Sequence, residues 1–218
     1  MFKFLAQHFV DQYSFINLFN FITFRVGASI LTSLFFSLIF GNYIINKISV
    51  IQPIGQPIRD DGPENHIIQK AGTPTMGGLL IILSVIVSLA LWSDLQNPFV
   101  WIGFITLCIF GLIGFVDDYK KIKSRSSNGL KARTRIILQI FFALIISIGI
   151  ISFINDQIDT TIAFPFFKNL IVNFGYFYFI ISLFIIVGSA NAVNLTDGLD
   201  GLAIVPVMIV AMTFAFIA

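Results

Sequence analysis

The chain has 218 residues, of which 57% are hydrophobic and 11% charged, and its mean hydropathy is +0.93. A soluble domain carries about 25% charged residues, so this composition indicates an integral membrane protein. The net charge of +2 gives no reason to expect nucleic-acid binding, and the single cysteine, Cys108, excludes a disulfide within the chain and a cysteine-based metal site.

Apolar segments that could cross a bilayer follow one another along the chain. A bilayer core of about 30 Å needs about 20 residues of helix. We therefore expect one all-α polytopic membrane domain with five complete spans and a sixth cut short at the chain end, so that the sequence is a fragment of a larger fold. The predicted spans are 22–45, 75–92, 98–116, 136–154, 170–190 and 202–218.

Basic residues are distributed unequally between the two sets of loops. The predicted loops 46–74, 117–135 and 191–201 together hold ten Lys and Arg residues, whereas the opposite side holds two, Lys3 and Lys168. Because cytoplasmic loops carry an excess of Lys and Arg, we expect these three loops in the cytoplasm and the N-terminus outside.

The same three loops contain the polar sequences of the chain. These are IRDDGPENHIIQKAGTPTMGG (58–78), VDDYKKIKSRSSNGLKARTR (116–135) and NAVNLTDGLDG (191–201). In the first, Thr73 and Pro74 predict the N-cap and first turn of the second span. Any chemistry is expected at the cytoplasmic surface of the membrane.

Asp117 and Asp118 are predicted to close the third span. Two anions at a helix C-terminus oppose the helix dipole, so the pair needs a cation, either Lys120 or Lys121 or a divalent metal. A solvated helix end is the alternative. The basic loop that follows fits a phosphate-binding role or, as the alternative, only fixes the topology. Its SSNG sequence (126–129) predicts a turn that folds back over the surface.

Polar side chains recur every third residue in the last cluster, at Asn191, Asn194, Asp197 and Asp200. A 3₁₀ turn would stack them on one side, and an α-helix would bring near neighbours together. Their oxygens suit Mg²⁺ or the edge of a nucleobase. The alternative, that Asp197 or Asp200 caps the last span, explains one residue of the four.

Two function classes compete at this point. An ion-coupled transporter places ionisable groups near the middle of the bilayer, whereas here the carboxylates lie at one end of nearly uncharged spans. An enzyme that joins a phosphorylated cytoplasmic substrate to a membrane-held acceptor fits the one-sided clusters better.

Three sequences resemble family motifs. DGPENHIIQKAGTPTMGG, GFVDDYKK and NAVNLTDGLDG are similar to those of the polyprenyl-phosphate N-acetylhexosamine-1-phosphate transferases, and GTPTMGG is the form in members that use UDP-N-acetylmuramoyl-pentapeptide. The resemblance implies about ten spans in a bacterial cytoplasmic membrane and a Mg²⁺-dependent reaction. Undecaprenyl phosphate attacks the β-phosphate of UDP-N-acetylmuramoyl-pentapeptide, UMP leaves, and a lipid-linked pyrophosphate forms. A relative that loads another N-acetylhexosamine phosphate is the alternative, and a homodimer is compatible with the resemblance.

The resemblance also implies roles for individual residues. Asp117 and Asp118 match the paired catalytic aspartates of the family, and Asn194 and Asp117 are the candidate metal ligands. Asp197 matches the position that reads the uracil. Because the family's third aspartate and histidine cluster do not occur here, we expect a further ligand beyond residue 218 and no activity from these 218 residues alone. The positions matched to substrate binding are Lys70, Thr75, Lys121, Arg133, Asn191, Asp197 and Asp200.

Overall fold

The computed structural model shows a mostly helical chain that divides into two compact units, Met1–Arg135 and Ile136–Ala218. This confirms the predicted all-α membrane class, with one small two-stranded sheet in addition. Each unit is described by itself. The described residues are 1–11, 13–53, 55, 72–126, 128–153, 160–163, 167, 170–197 and 201–217.

The first unit contains four α-helices and one 3₁₀ helix, Ser14–Asn20, among its described residues. The α-helices are α1 (Phe2–Phe9), α2 (Ile22–Ile51), α3 (Gly78–Trp92) and α4 (Pro98–Ser124). The start of α4 follows from its sequence, because the Asn97 side chain accepts a hydrogen bond from the Phe99 N–H at 2.9 Å and Pro98 occupies the first helical position.

The segment before α3 corrects a prediction. The helix begins at Gly78, so Thr73 and Pro74 are not its N-cap and first turn. Met76 has a φ of 74°, which L residues with side chains seldom adopt and which no helix tolerates. The residues 72–77 form an irregular turn instead. This turn lies close to Gly55, which follows the C-terminus of α2, because a Cβ on Gly55 would come within 2.6 Å of the Gly72 backbone.

Hydroxyl groups hold α2 and α3 together. Ser29 Oγ and Ser88 Oγ are 2.6 Å apart, and the Ser88 hydroxyl also donates to the Ser29 carbonyl at 2.8 Å. Near the end of α3, the Trp92 indole N–H donates to Thr32 Oγ1 at 2.8 Å. Small polar residues allow helices to approach closely where burial of apolar surface gives no advantage over lipid.

The second unit begins within α5 (Ala132–Phe153) and continues with a hairpin and two helices. Strands β1 (Thr161–Ala163) and β2 (Ile171–Asn173) pair antiparallel, with Ile162 opposite Val172. They precede α6 (Phe177–Thr196) and α7 (Ile204–Ile217). The helix predicted from residue 170 therefore starts only at Phe177, since the β-branched residues at 171 and 172 form a strand and Gly175 has a φ of 49°.

The described helices include four that are long and apolar enough to cross a membrane, by length and composition. These are Ile22–Ile51, Pro98–Ser124, Ala132–Ser152 and Phe177–Thr196, with the shorter apolar helices Gly78–Trp92 and Ile204–Phe216. Many large apolar side chains on them are exposed, such as Leu38 at 67% and Phe184 at 80%. These properties are those of a multi-pass membrane protein.

Candidate active site

The loop predicted to begin at residue 117 is in part helical. Helix α4 does not end at the aspartates but continues to Ser124, so Asp117 and Asp118 lie two turns before its end. The predicted conflict with the helix dipole is therefore reduced. Lys121 and Lys123 occupy the last turn, where positive charge is favourable, and Arg125 ends the helix in the left-handed conformation with a φ of 49°.

The two aspartates converge on one cation, the ammonium group of Lys121. Lys121 Nζ lies 2.7 Å from Asp117 Oδ2 and 3.0 Å from Asp118 Oδ1. Adjacent residues on a helix point about 100° apart, but a lysine three and four residues further along reaches both. The sequence predicted that the pair needs a cation, and Lys121 is that cation in this structure.

Each remaining carboxylate oxygen accepts a hydrogen bond from another segment. The Leu130 N–H donates to Asp117 Oδ1 at 2.7 Å, and the Thr75 hydroxyl donates to Asp118 Oδ2 at 3.1 Å. Thr75 is in turn held by its own N–H, which donates to Gln52 Oε1 at 2.9 Å. We call Asp117, Asp118, Lys121 and Thr75 the aspartate cluster. It joins the end of α2, the 72–77 turn, α4 and the turn before α5.

The two carboxylates differ in their access to solvent. The Asp117 side chain is 10% exposed, whereas those of Asp118 and Lys121 are 29% and 30% exposed. A buried carboxylate is stable only when its oxygens are paired, and the Lys121 and Leu130 contacts meet this need. A ligand that approaches from solvent therefore meets Asp118 and Lys121 first.

The chemistry of the cluster fits the expected Mg²⁺. Its donors are carboxylate and hydroxyl oxygens, the hard ligands that Mg²⁺ prefers, and the two carboxylates already share a cation between them. Among the described residues, no group of three or more His, Cys, Asp and Glu side chains is placed to hold a metal ion.

In the second unit, the predicted cluster residues Asn191, Asn194 and Asp197 lie at the end of α6. The helix is α-helical through Thr196, so of the two arrangements considered for the spacing of three residues the α-helix is observed. Asn191 Nδ2 donates to Gln139 Oε1 at 2.6 Å and to the Val187 carbonyl at 2.8 Å. Asn194 and Asp197 are exposed. Asp197 is the C-cap of α6 and not the N-cap of the last span.

The structure thus brings together one part of the predicted site. Thr75, Asp117, Asp118 and Lys121 are in direct contact, while Arg133 is exposed in the first turn of α5. The predicted substrate-binding residues Lys70 and Asp200 lie outside the described residues.

Sequence reasoning missed two partners of the cluster, Gln52 and the Leu130 N–H. The SSNG turn signal indicated that this loop folds back, and Leu130 follows it directly. For Gln52 the sequence contained no comparable signal.

Comparison with known proteins agrees with the motifs. A family model described as "Glycosyl transferase family 4" matches residues 100–218, and one described as "Phospho-N-acetylmuramoyl-pentapeptide-transferase signature 1" matches residues 70–82. The second match includes Thr75, and the first includes both aspartates and Lys121.

Two curated relatives carry the same name, "Phospho-N-acetylmuramoyl-pentapeptide-transferase". The chain is 50% identical over 214 residues to the Pelagibacter ubique (strain HTCC1062) protein, covering 98% of the chain and 59% of that relative. It is 45% identical over 218 residues to the Gluconobacter oxydans (strain 621H) protein, covering 100% of the chain and 60% of that relative. The chain spans about three fifths of the length of these relatives. Because the family model covers more than half of its residues, the chain belongs to glycosyl transferase family 4.

Proposed function

We propose that the protein transfers phospho-N-acetylmuramoyl-pentapeptide from its UDP-linked precursor to undecaprenyl phosphate. The products are UMP and a lipid-linked pyrophosphate, lipid I of peptidoglycan synthesis. The names of the two relatives and the signature match at residues 70–82 support this proposal. The observation that carries it is the aspartate cluster, in which two carboxylates share one cation beside the signature segment.

The chemistry of the transfer explains why such a cluster is useful. An anionic phosphate must attack an anionic diphosphate, so neutralisation of charge is the main barrier to lower. Lys121 offsets one of the two carboxylate charges of the aspartate cluster, which leaves the cluster with a net charge of −1 that attracts a further cation to the diphosphate. The basic residues of the loop that follows, Arg133 among them, would add to the positive potential that attracts the diphosphate.

The acceptor does not require a strong general base. The second pKa of a phosphate monoester is about 6, so undecaprenyl phosphate is already largely dianionic at pH 7. Asp117 is 10% exposed and both of its oxygens accept hydrogen bonds. This arrangement suits a carboxylate that holds a cation in place, and we assign Asp117 that role.

Mg²⁺ is proposed as the cofactor. Asp117 and Asp118 would hold it, and Asn194 remains a candidate metal ligand on the resemblance of its motif alone. When bound, Mg²⁺ would supply neutralising charge to the diphosphate. On the protein side, Thr75 keeps the Asp118 carboxylate oriented through its hydroxyl group.

The orientation of the chain belongs to the same proposal. Ten Lys and Arg residues in the loops 46–74, 117–135 and 191–201, against two on the other side, favour a cytoplasmic active face and an external N-terminus. The membrane would be the bacterial cytoplasmic membrane, where both the nucleotide-linked donor and the lipid acceptor are accessible.

A donor comparison tests the function. The whole protein in detergent is supplied with undecaprenyl phosphate, Mg²⁺ and UDP-N-acetylmuramoyl-pentapeptide that carries a fluorescent group on the peptide. We expect a fluorescent lipid product, equimolar UMP, and loss of both when the metal is chelated. Use of UDP-N-acetylglucosamine in place of the pentapeptide donor would instead assign the protein to the related transferases. Ion flux into vesicles without any product would favour the transporter alternative.

A further inference from the structure

We propose that Gly129 and the backbone N–H of Leu130 position Asp117 for the reaction. The inference rests on the proposed transferase function, because Gly129 and Leu130 are given a role through Asp117, which that function uses. Neither residue is expected to contact substrate. Both act through the Asp117 carboxylate, and we call Gly129 and Leu130 the positioning turn.

The first observation is the hydrogen bond that the turn provides. The Leu130 N–H donates to Asp117 Oδ1 at 2.7 Å across thirteen residues of sequence. A bond from a backbone donor to a carboxylate is short and strong, and its direction is fixed by the peptide plane. It leaves Asp117 Oδ2 directed to Lys121, which lies 2.7 Å away.

The second observation is steric. A Cβ built on Gly129 would lie 2.4, 2.7 and 2.6 Å from Oδ1, Oδ2 and Cγ of Asp117, and these are its three nearest heavy atoms. Ordinary van der Waals contacts of a Cβ lie at 3.4–4 Å. Any other residue at position 129 would therefore displace the carboxylate by about 1 Å or push the turn away.

The third observation is that the turn is built to reach this place. Helix α4 ends at the left-handed Arg125, the Ser126 N–H donates to the Lys121 carbonyl at 3.2 Å, and the Asn128 N–H donates to Ser126 Oγ at 3.2 Å. These bonds reverse the chain, so that residues 129 and 130 return alongside α4 to Asp117.

The consequence concerns the rotation of the carboxylate. The terminal torsion of an aspartate is broad and weakly restricted on its own. The hydrogen bond from the Leu130 N–H to Oδ1 and the close approach of Gly129 to the carboxylate together restrict this torsion. Asp117 Oδ2, the oxygen that Lys121 contacts, is then held in one place. Electrostatic stabilisation requires charged groups that are fixed before the reaction in this way.

Substitution of Gly129 tests the inference in the whole protein. Gly129→Ala is compared with Gly114→Ala, a matched control on α4 where an added Cβ meets nothing within 4 Å. We expect kcat of the Gly129→Ala variant to fall about 100-fold, because misplacement of a catalytic group by about 1 Å can lower the rate by that factor. KM for both substrates should change little. In the Asp117→Ala background, Gly129→Ala should cause no further loss.

Hydrogen exchange of the Leu130 amide provides a readout that does not depend on activity. The amide should be protected in the unmodified protein and should exchange faster in both Asp117→Ala and Gly129→Ala. Equal exchange in the unmodified protein and Asp117→Ala would overturn the inference, as would a kcat for Gly129→Ala equal to that of the Gly114→Ala control. If the whole protein transfers no sugar phosphate at all, the proposed function fails, and the exchange comparison alone decides whether the turn positions Asp117.

Discussion

Replacement of Lys121 by methionine is the most direct perturbation of the aspartate cluster. The side chains have similar length, so the change removes the charge and three hydrogen-bond donors but keeps most of the packing volume. Two neighbouring carboxylates are then left without the cation that lies 2.7 Å from one and 3.0 Å from the other. We expect the folded protein to be destabilised, because the Asp117 carboxylate stays buried.

The size of the effect follows from burial. Removal of one partner of a buried ion pair costs about 3–5 kcal/mol. Lys121 and Asp118 are 30% and 29% exposed, so water recovers part of the loss, and we expect a decrease of about 2–3 kcal/mol in the free energy of unfolding. For a chain of this length, this corresponds to a fall of about 4–12 °C in the thermal midpoint.

The assay is thermal unfolding of the detergent-purified protein with Lys120→Met as the control. Lys120 is the exposed neighbour on the same helix, and its loss should change the free energy of unfolding by less than about 0.5 kcal/mol. Adding Asp118→Asn to the Lys121→Met variant should recover part of the midpoint, since one of the two neighbouring negative charges is gone. Equal midpoints for the two single methionine variants would refute the reasoning.

Three further predictions concern other contacts. Thr75→Val removes the hydroxyl that donates to Asp118 at 3.1 Å, and since a hydrogen bond to a charged group contributes about 1.5–3 kcal/mol, we expect kcat/KM to fall about 10- to 100-fold, whereas Thr75→Ser should retain most activity. The hydrogen bond from Lys3 lowers the pKa of Asp94. The ionised Asp94 therefore stabilises the folded protein at neutral pH, and this contribution is lost as the pH falls below about 4. The difference in thermal midpoint between the unmodified protein and Asp94→Asn should accordingly shrink between pH 6 and pH 3. Gln139→Leu removes the buried oxygen that accepts a hydrogen bond from the Asn191 side chain at 2.6 Å and should lower the thermal midpoint by about 2–4 °C. Gln139→Glu keeps an acceptor oxygen, and its midpoint should lie much closer to that of the unmodified protein.

Charge and hydropathy were sufficient to predict an all-α membrane fold and the need of the site for a cation. The apolar runs located the helices, since only a regular backbone satisfies its own hydrogen bonds in lipid. The need of Asp117 and Asp118 for a cation followed from elementary electrostatics, and Lys121 was one of the residues considered. Its choice over Lys120 follows from the helix continuing to Ser124. Lys121 lies four residues after Asp117 and three after Asp118 and so reaches both, whereas Lys120 lies only two residues after Asp118, a spacing that does not bring side chains together.

The misplaced boundaries have a common cause in backbone conformation. The start of α3 was predicted from the capping residues Thr73 and Pro74, but the left-handed Met76 excludes a helix there. A positive φ at a methionine is unfavourable locally and is maintained by tertiary contacts such as Thr75 N–H to Gln52. Contacts of this kind join residues 23 positions apart, and neither hydropathy nor spacing encodes them.

The difference between the two aspartates is itself a product of the helix. A step of about 100° turns Asp117 towards the positioning turn and Asp118 towards Thr75. The first carboxylate is thereby enclosed at 10% exposure and the second remains at 29%. Under the proposed function, a diphosphate with its cation would reach Asp118 directly and Asp117 only through the oxygen that Lys121 contacts. Two adjacent aspartates can therefore have different roles: Asp117 fixes the geometry of the cation site, and Asp118 is exposed to the ligand.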